Sequence, residues 1–136
     1  MSVLLSIKPE FAEKIMTGEK RFEFRRVVPK RDVGRVVVYA SSPVRRIVGE
    51  FTVRRVVSDR PKALWRLARS HAGISKSYFD AYFEGRDEAH AFEIGSVLRY
   101  GEPIDPKGLR LGFRPPQSFL YLDSLEGFES RLRLAA

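Results

Sequence analysis

The segment RVVVYA, residues 35–40, leaves a chain of this kind few options. Its consecutive apolar positions suit a β-strand, yet they break the alternation of a strand with one wet face. Such a strand needs apolar cover on both sides, so the rest of the chain must wrap around it. SVLLSI (2–7) reads as a second buried strand. RRIVGEFTVRRVV (45–57) reads as a long one, with Ile47, Phe51 and Val53 on one face, Glu50, Thr52 and Arg54 on the other, and Gly49 marking a bulge or a close backbone approach. AHAFEIGSVLRYGEPI (89–104) alternates again, and its His90 is expected to be packed or hydrogen-bonded. PPQSFLYL (115–122) starts where two prolines forbid a helix.

Between these runs lie helical signals. KPEFAEKIMTGEK has Pro9 in its first turn, Phe11 and Ile15 on one face, and Gly18 as its stop. In DRPKALWRLARSHAG, Leu64, Leu67, Ala68 and His71 recur at helical spacing. SKSYFDAYFEG carries Tyr78, Phe79, Tyr82 and Phe83 in two adjacent stripes, expected to seat this helix pair on the sheet. DSLEGFESRLRL is expected to be a terminal helix, with Asp123 and Glu126 in capping-box spacing and Leu125, Phe128 and Leu132 inward. The expectation is an α+β fold: about six strands closing into a small mixed β-barrel, with peripheral helices and a helical insertion at about 60–85. The 136 residues suit one domain, 1–136, with its core at about 3–122 and a C-terminal helix at about 123–134.

Composition removes several chemistries. With no cysteine there is no disulfide, thiolate metal site or thiol nucleophile, and His71 and His90 have no ligand spacing, so neither a metal nor a cofactor is expected. No apolar run approaches the ~20 residues of a membrane span, and the opening MSVLLSIKPEF has too short an apolar stretch and no basic lead for a signal peptide, so a cytoplasmic protein without membrane contact is expected. The net charge of +8 is uneven: residues 1–60 hold 14 Lys/Arg against 7 Asp/Glu. A polyanion would be met mainly by the first half.

Within that half, RFEFRR (21–26) places Phe22 and Phe24 on one strand face and Arg21, Glu23 and Arg25 on the other. If the phenylalanines enter the barrel, the charged face points outward or into a cleft. A carboxylate between guanidiniums orients them, and an oriented fork binds phosphate or a base edge with less loss of side-chain freedom. Lys20 breaks the alternation but lies just after Gly18, still in the turn, and is expected to swing toward Glu23. The bland alternative is a surface salt bridge worth ~0–1 kcal/mol.

GEKRFEFR also fits the GxKxxExR signature of ASCH domains, as Gly18, Lys20, Glu23 and Arg25. VVVYASSP, IVGEFTV, YFEG with AHAFEI, and PPQSFLYL follow in the family's order, so the resemblance spans residues 3 to 122. It implies a PUA-like barrel, related to RNA-binding and modified-base-reading domains, with a cleft where the signature residues gather. Some family members are amidohydrolases of an acetylated cytidine nucleoside and others ribonucleases. The amidohydrolase lysine is matched by Lys20, but its nucleophilic threonine falls at Glu23, a poor substitute that can still act as a general base.

The candidate nucleotide-binding residues are Gly18, Lys20, Arg21, Glu23, Arg25, Ser41, Ser42, Gln117 and Ser118, with Lys20 and Glu23 catalytic only if the site turns over. Lys30, Arg31, Arg45, Arg46, Arg54 and Arg55 form a candidate basic rim, and Tyr39 and Tyr121 are candidate stacking partners. Three functions remain open at this stage. The first is a reader of RNA or a modified nucleotide, with DNA as a possible partner; the second is a hydrolase using Lys20 and Glu23; the third is a protein-interaction module. Oligomeric state is not legible.

Overall fold

The computed structural model describes residues 1–110 and 112–136. A six-stranded mixed sheet in the order β2-β5-β4-β3-β1-β6 curls into a half-barrel with four α-helices, an α+β fold. The strands are β1 (Ser2–Ile7), β2 (Phe22–Arg25), β3 (Arg35–Ala40), β4 (Arg46–Asp59), β5 (Ala89–Ile104) and β6 (Phe119–Tyr121). The helices are α1 (Pro9–Thr17), α2 (Pro61–Ala68), α3 (Lys76–Tyr82) and α4 (Phe128–Ala135). β1 and β3 pair in parallel from Ser2↔Arg35 to Ile7↔Ala40, and the other four pairings are antiparallel.

β3 is covered on both sides, as RVVVYA requires. Val36, Val38 and Ala40 join Val3, Leu5, Ile7, Ile15, Phe51 and Phe92 in a core beneath α1. Val37 and Tyr39 join Leu4, Ile47, Tyr100, Phe113, Phe128 and Leu132 in a second core on the opposite face. The long β4–β5 ribbon supplies the curl: its register shifts at Ile47/Gly49, Phe51/Val53 and Val53/Arg55, and each bulge adds local bend and twist. At Gly49 an added Cβ would lie 2.5 Å from the Leu98 carbonyl oxygen and 2.6 Å from Met16 Sδ, so only glycine fits.

The curl stops short of backbone closure. β2 and β6 are the two edges, and among the described residues no backbone hydrogen bond joins them. The expected closure is made by a side chain: Arg25 on β2 donates from Nη2 to the Ser6 carbonyl of β1 (2.8 Å) and from Nη1 to the Ser118 carbonyl beside β6 (3.3 Å).

Two local expectations are corrected. The faces of β2 are exchanged: Phe22 and Phe24 pack under the helical insertion with Leu64, Ala68, Phe79 and Phe83. Glu23 pairs across the sheet with Phe92, on the side of the α1 core. The aromatic stripe of α3 offers the phenylalanines more apolar contact outside the curl than its mouth does inside. The terminal helix begins at Phe128, because the chain first makes a 3-10 turn, Leu122–Ser124, and then turns at Gly127 with φ 73°. Asp123 therefore caps no helix and instead accepts from Arg31 at 2.9 Å.

Candidate functional site

The turn before β2 is pinned from two sides. α1 ends at Gly18, whose φ of 85° suits the left-handed stop and whose N–H donates to Ile15 O. The Lys20 N–H then donates to Lys14 O (3.0 Å) and the Arg21 N–H to His71 O (2.8 Å). Lys20 lies against Gly73, where an added Cβ would sit 2.5 Å from Lys20 Cβ and where φ is +68°, so the glycine is required for both space and conformation.

Three charged side chains are consequently buried together: Lys20 is 1%, Glu23 6% and Arg25 9% exposed. Glu23 Oε2 accepts from Arg25 Nε at 3.1 Å and lies 2.9 Å from Nη2. Lys20 Nζ donates to the Ala72 carbonyl at 2.7 Å and stands 4.0 Å from Glu23 Oε1. It also lies 4.7 Å from the ring centre of Phe24 and 5.5 Å from that of Phe11, faces that attract a cation. Burial pushes the Lys20 ammonium down to a pKa of about 8, against the opposing attraction of Glu23.

These groups open onto a cavity of about 240 Å³ between α1, β2 and α3. Its walls are Phe11, Ile74, Tyr78 and Tyr82, its mouth carries Lys8, Arg26 and Gln117, and Ser6 completes the floor. Tyr78 and Tyr82 lie 6.5 Å apart at 15° between their planes. Lys8 Nζ stands 5.2 Å from the Tyr78 ring centre and the Arg26 guanidinium 4.2 Å from that of Tyr82. Burial raises the Tyr82 phenol above its ordinary value.

Of the residues singled out in the sequence, Lys20, Glu23, Arg25 and Gln117 line this cavity. Ser118 contributes its carbonyl to Arg25, and Gly18 shapes the turn. Arg21 lies elsewhere, its guanidinium donating to Ile94 O at 3.4 Å. Ser41 is held by Ile7 through its backbone, and neither it nor Ser42 lines the cavity. None of the six rim candidates lines it either: Arg31, Arg46 and Arg55 pair with Asp123, Asp105 and Glu93, and Lys30, Arg45 and Arg54 are exposed. Tyr39 is buried in the second core and Tyr121 packs on Phe119.

The lining residues not singled out as site candidates are Ser6, Ile7, Lys8, Phe11, Phe24, Arg26, Ile74, Tyr78 and Tyr82. One signal for the tyrosines was present in the two stripes of α3: the structure sends Phe79 and Phe83 into the core and leaves Tyr78 and Tyr82 half-buried at the cavity. His90 accepts from or donates to Ser58 Oγ at 2.7 Å, a structural bond. Among the described residues no cluster of His, Cys, Asp or Glu is placed to hold a metal, and no helix is long and apolar enough to cross a membrane.

Fold and site together define a small α+β half-barrel domain whose charged, aromatic-walled pocket sits at the seam between its sheet edges. Residues 5–98 match the ASCH domain, and the chain belongs to that family. An ASCH domain-containing ribonuclease of Zymomonas mobilis is 35% identical over 126 residues, covering 88% of this chain and 82% of that protein. The crystal structure of ASCH from Zymomonas mobilis superposes with a TM-score of 0.90 at 31% identity, covering 98% of this chain and 94% of that one. The large ribosomal subunit protein uL22 of Ureaplasma parvum is 33% identical over 122 residues, but this chain spans only 39% of its length.

Proposed function

We propose that this domain binds RNA or a modified nucleotide in the PUA-like manner, seating one base in the cavity above Glu23. The observation that carries this reading is a buried, oriented ion cluster facing a cavity walled by two roughly parallel tyrosines. At about 240 Å³ the cavity lies just below the ~300–1,000 Å³ usual for small-molecule sites, a size that suits one nucleotide unit and not a folded helix of RNA. Aromatic walls stack an unpaired base, and the cations at the mouth, Lys8 and Arg26, meet the flanking phosphates.

The test is a titration of single-stranded RNA across a salt series. Log affinity falls linearly with log salt, and Lys8→Glu and Arg26→Glu each flatten the slope by about one, the loss of one phosphate contact. Tyr82→Ala weakens binding through lost stacking, by ~1–3 kcal/mol. A salt-insensitive affinity, or one indifferent to all three substitutions, sinks the proposal.

The ribonuclease relative favours a second reading, in which the same pocket turns RNA over. Glu23 Oε1 then removes the proton from a ribose 2′-hydroxyl, whose oxygen attacks the adjacent phosphorus while the bond to the 5′-oxygen breaks and that oxygen takes a proton from water; the product is a 2′,3′-cyclic phosphate, and the proton on Glu23 returns to solvent. Lys20, charged at neutral pH, stabilises the negative charge that builds up. Single-stranded RNA incubated with the wild-type protein and with Lys20→Ala and Glu23→Gln decides this. Cleavage that survives both substitutions places the chemistry outside the cluster.

A further inference from the structure

We infer that α2 is a docking surface for the phosphate backbone of RNA: Lys62, Arg66 and Arg69 form one cationic stripe that holds the strand beyond the nucleotide seated in the pocket. The choice of RNA as partner rests on the nucleotide-binding reading above; the stripe itself does not.

The stripe follows from helix geometry. At 3.6 residues per turn, positions 62, 66 and 69 fall within about 60° of one another and span about 10 Å along the axis. All three are exposed, and they point away from Leu64 and Ala68, which are buried beneath the helix with Phe22 and Phe24. Arg60 adds a fourth exposed cation just before the helix, and residues 60–71 contain no Asp or Glu. The preceding acid, Asp59, accepts from the Arg60 backbone N–H. Among the described residues none of the four cations forms an ion pair. Their one side-chain bond runs from Arg66 Nε to Lys62 O at 3.5 Å and leaves both Nη groups of that guanidinium free.

The other helices are neutralised. On α1, Glu13 accepts from Arg99 at 2.8 and 2.9 Å; on α3, Lys76 bonds Asp80 at 2.7 Å; on α4, Glu129 pairs with Arg35 at 2.7 Å and lies 3.8 Å from Arg133. Like charges three and four residues apart on a helix repel and weaken it. Nothing within the fold offsets that repulsion on α2, whereas an external polyanion would.

The chemistry of the face narrows the polyanion. A membrane surface would need the apolar side of α2, and Leu64 and Ala68 are already committed to the core. An acidic protein would need aromatic or apolar anchors among the charges. Trp65 packs on Phe79 with ring centres 5.0 Å apart, which leaves only Leu67 exposed on the flank. A phosphate backbone needs no anchor, and two of the three cations are guanidiniums, whose forks pair with phosphate oxygens. The stripe also ends near the pocket along the chain. His71 O accepts from the Arg21 N–H at 2.8 Å, and Ala72 O, three residues after Arg69, accepts from Lys20 Nζ at 2.7 Å. A strand leaving the pocket thus meets α2 within a few nucleotides.

The test titrates two fluorescently labelled oligouridines, a pentamer and a strand of twenty nucleotides, across a salt series. The triple variant Lys62→Gln, Arg66→Gln, Arg69→Gln is compared with wild type and with a control of equal charge loss, Lys30→Gln, Arg45→Gln, Arg54→Gln. The stripe variant should bind the long strand at least tenfold more weakly at low salt, with its salt slope flattened by about two, three phosphate contacts at ~0.7 each. It should bind the pentamer as wild type does and be no less stable in urea, since repulsion has been removed. A long-strand slope equal to wild type, or one flattened as much by the control, overturns the inference. So does equal competition by polyglutamate of the same charge, which would make α2 a general polyanion face. If Tyr82→Ala leaves pentamer affinity unchanged while the stripe variant still loses the long strand, the pocket reading falls and the stripe stands.

Discussion

Arg25 serves two purposes with one guanidinium: it holds Glu23 and it joins the sheet edges through Ser6 and Ser118. Arg25→Met leaves a buried carboxylate without its main partner and is expected to destabilise by ~3–5 kcal/mol in urea unfolding. Arg25→Lys should recover less than half of that, since a single ammonium cannot reproduce the planar fork. Lys20 makes a pH-dependent prediction. Its folded pKa of about 8 lies below its ordinary 10.5, so between these values the unfolded chain binds more protons than the folded one, and this residue's contribution to stability rises with pH. The wild-type protein should gain on Lys20→Met by on the order of 3 kcal/mol from pH 7 to pH 10.5. Comparison with the variant cancels Tyr82 and Tyr100, whose raised pKa values act in the opposite sense above pH 10. Parallel curves for the two proteins would mean that Lys20 titrates normally. The positions of these charges along the chain were legible from GEKRFEFR, but their burial was not, because alternation says which residues share a face and not which face is inside.

At the scale of elements, most strands and helices announced themselves. RVVVYA was right about its two-sided cover because five apolar residues in succession admit no other strand. β2 was ambiguous for a physical reason: with two phenylalanines opposite two charges in a four-residue strand, orientation depends on what covers each side, and that cover comes from α3, some 50 residues later. The later start of α4 depends on a left-handed Gly127, which outweighs the capping-box spacing of Asp123 and Glu126. The loop after α2 provides a direct test. Gly73 and Gly85 both have positive φ, but an added Cβ meets Lys20 at the first and nothing within 4 Å at the second. Gly85→Ala should therefore cost only the ~1–2 kcal/mol of a left-handed alanine. Gly73→Ala should cost clearly more in thermal unfolding and also weaken RNA binding, since it displaces Lys20. Equal costs would show that the contact between Gly73 and Lys20 is soft.

For the whole molecule, the ASCH match covers residues 5–98, yet the fold extends well beyond that segment. Leu122, Phe128 and Leu132 are each no more than 1% exposed and fill the second core against Leu4, Val37 and Tyr39. Phe128→Ala is expected to cost ~3–5 kcal/mol, as for any large aromatic removed from a packed interior, although it lies outside the cavity and should leave the RNA affinity of the folded protein unchanged. Arg35 ties the same helix down through Glu129 at 2.7 Å while pairing with Glu50 at 2.6 Å. Hydrogen exchange should be slowest in the paired centres of β4 and β5 and faster at β2 and β6, and single-stranded RNA should slow those two edges selectively. Uniform protection would place the ligand elsewhere.

The seam fastened by Arg25 has a mechanical corollary. A ring clasped at one point is most compliant at the clasp, and here the clasp stands on the pocket floor. The coordinate along which this domain breathes is thus the one along which it would admit and grip an occupant, so stiffness and occupancy should rise and fall together.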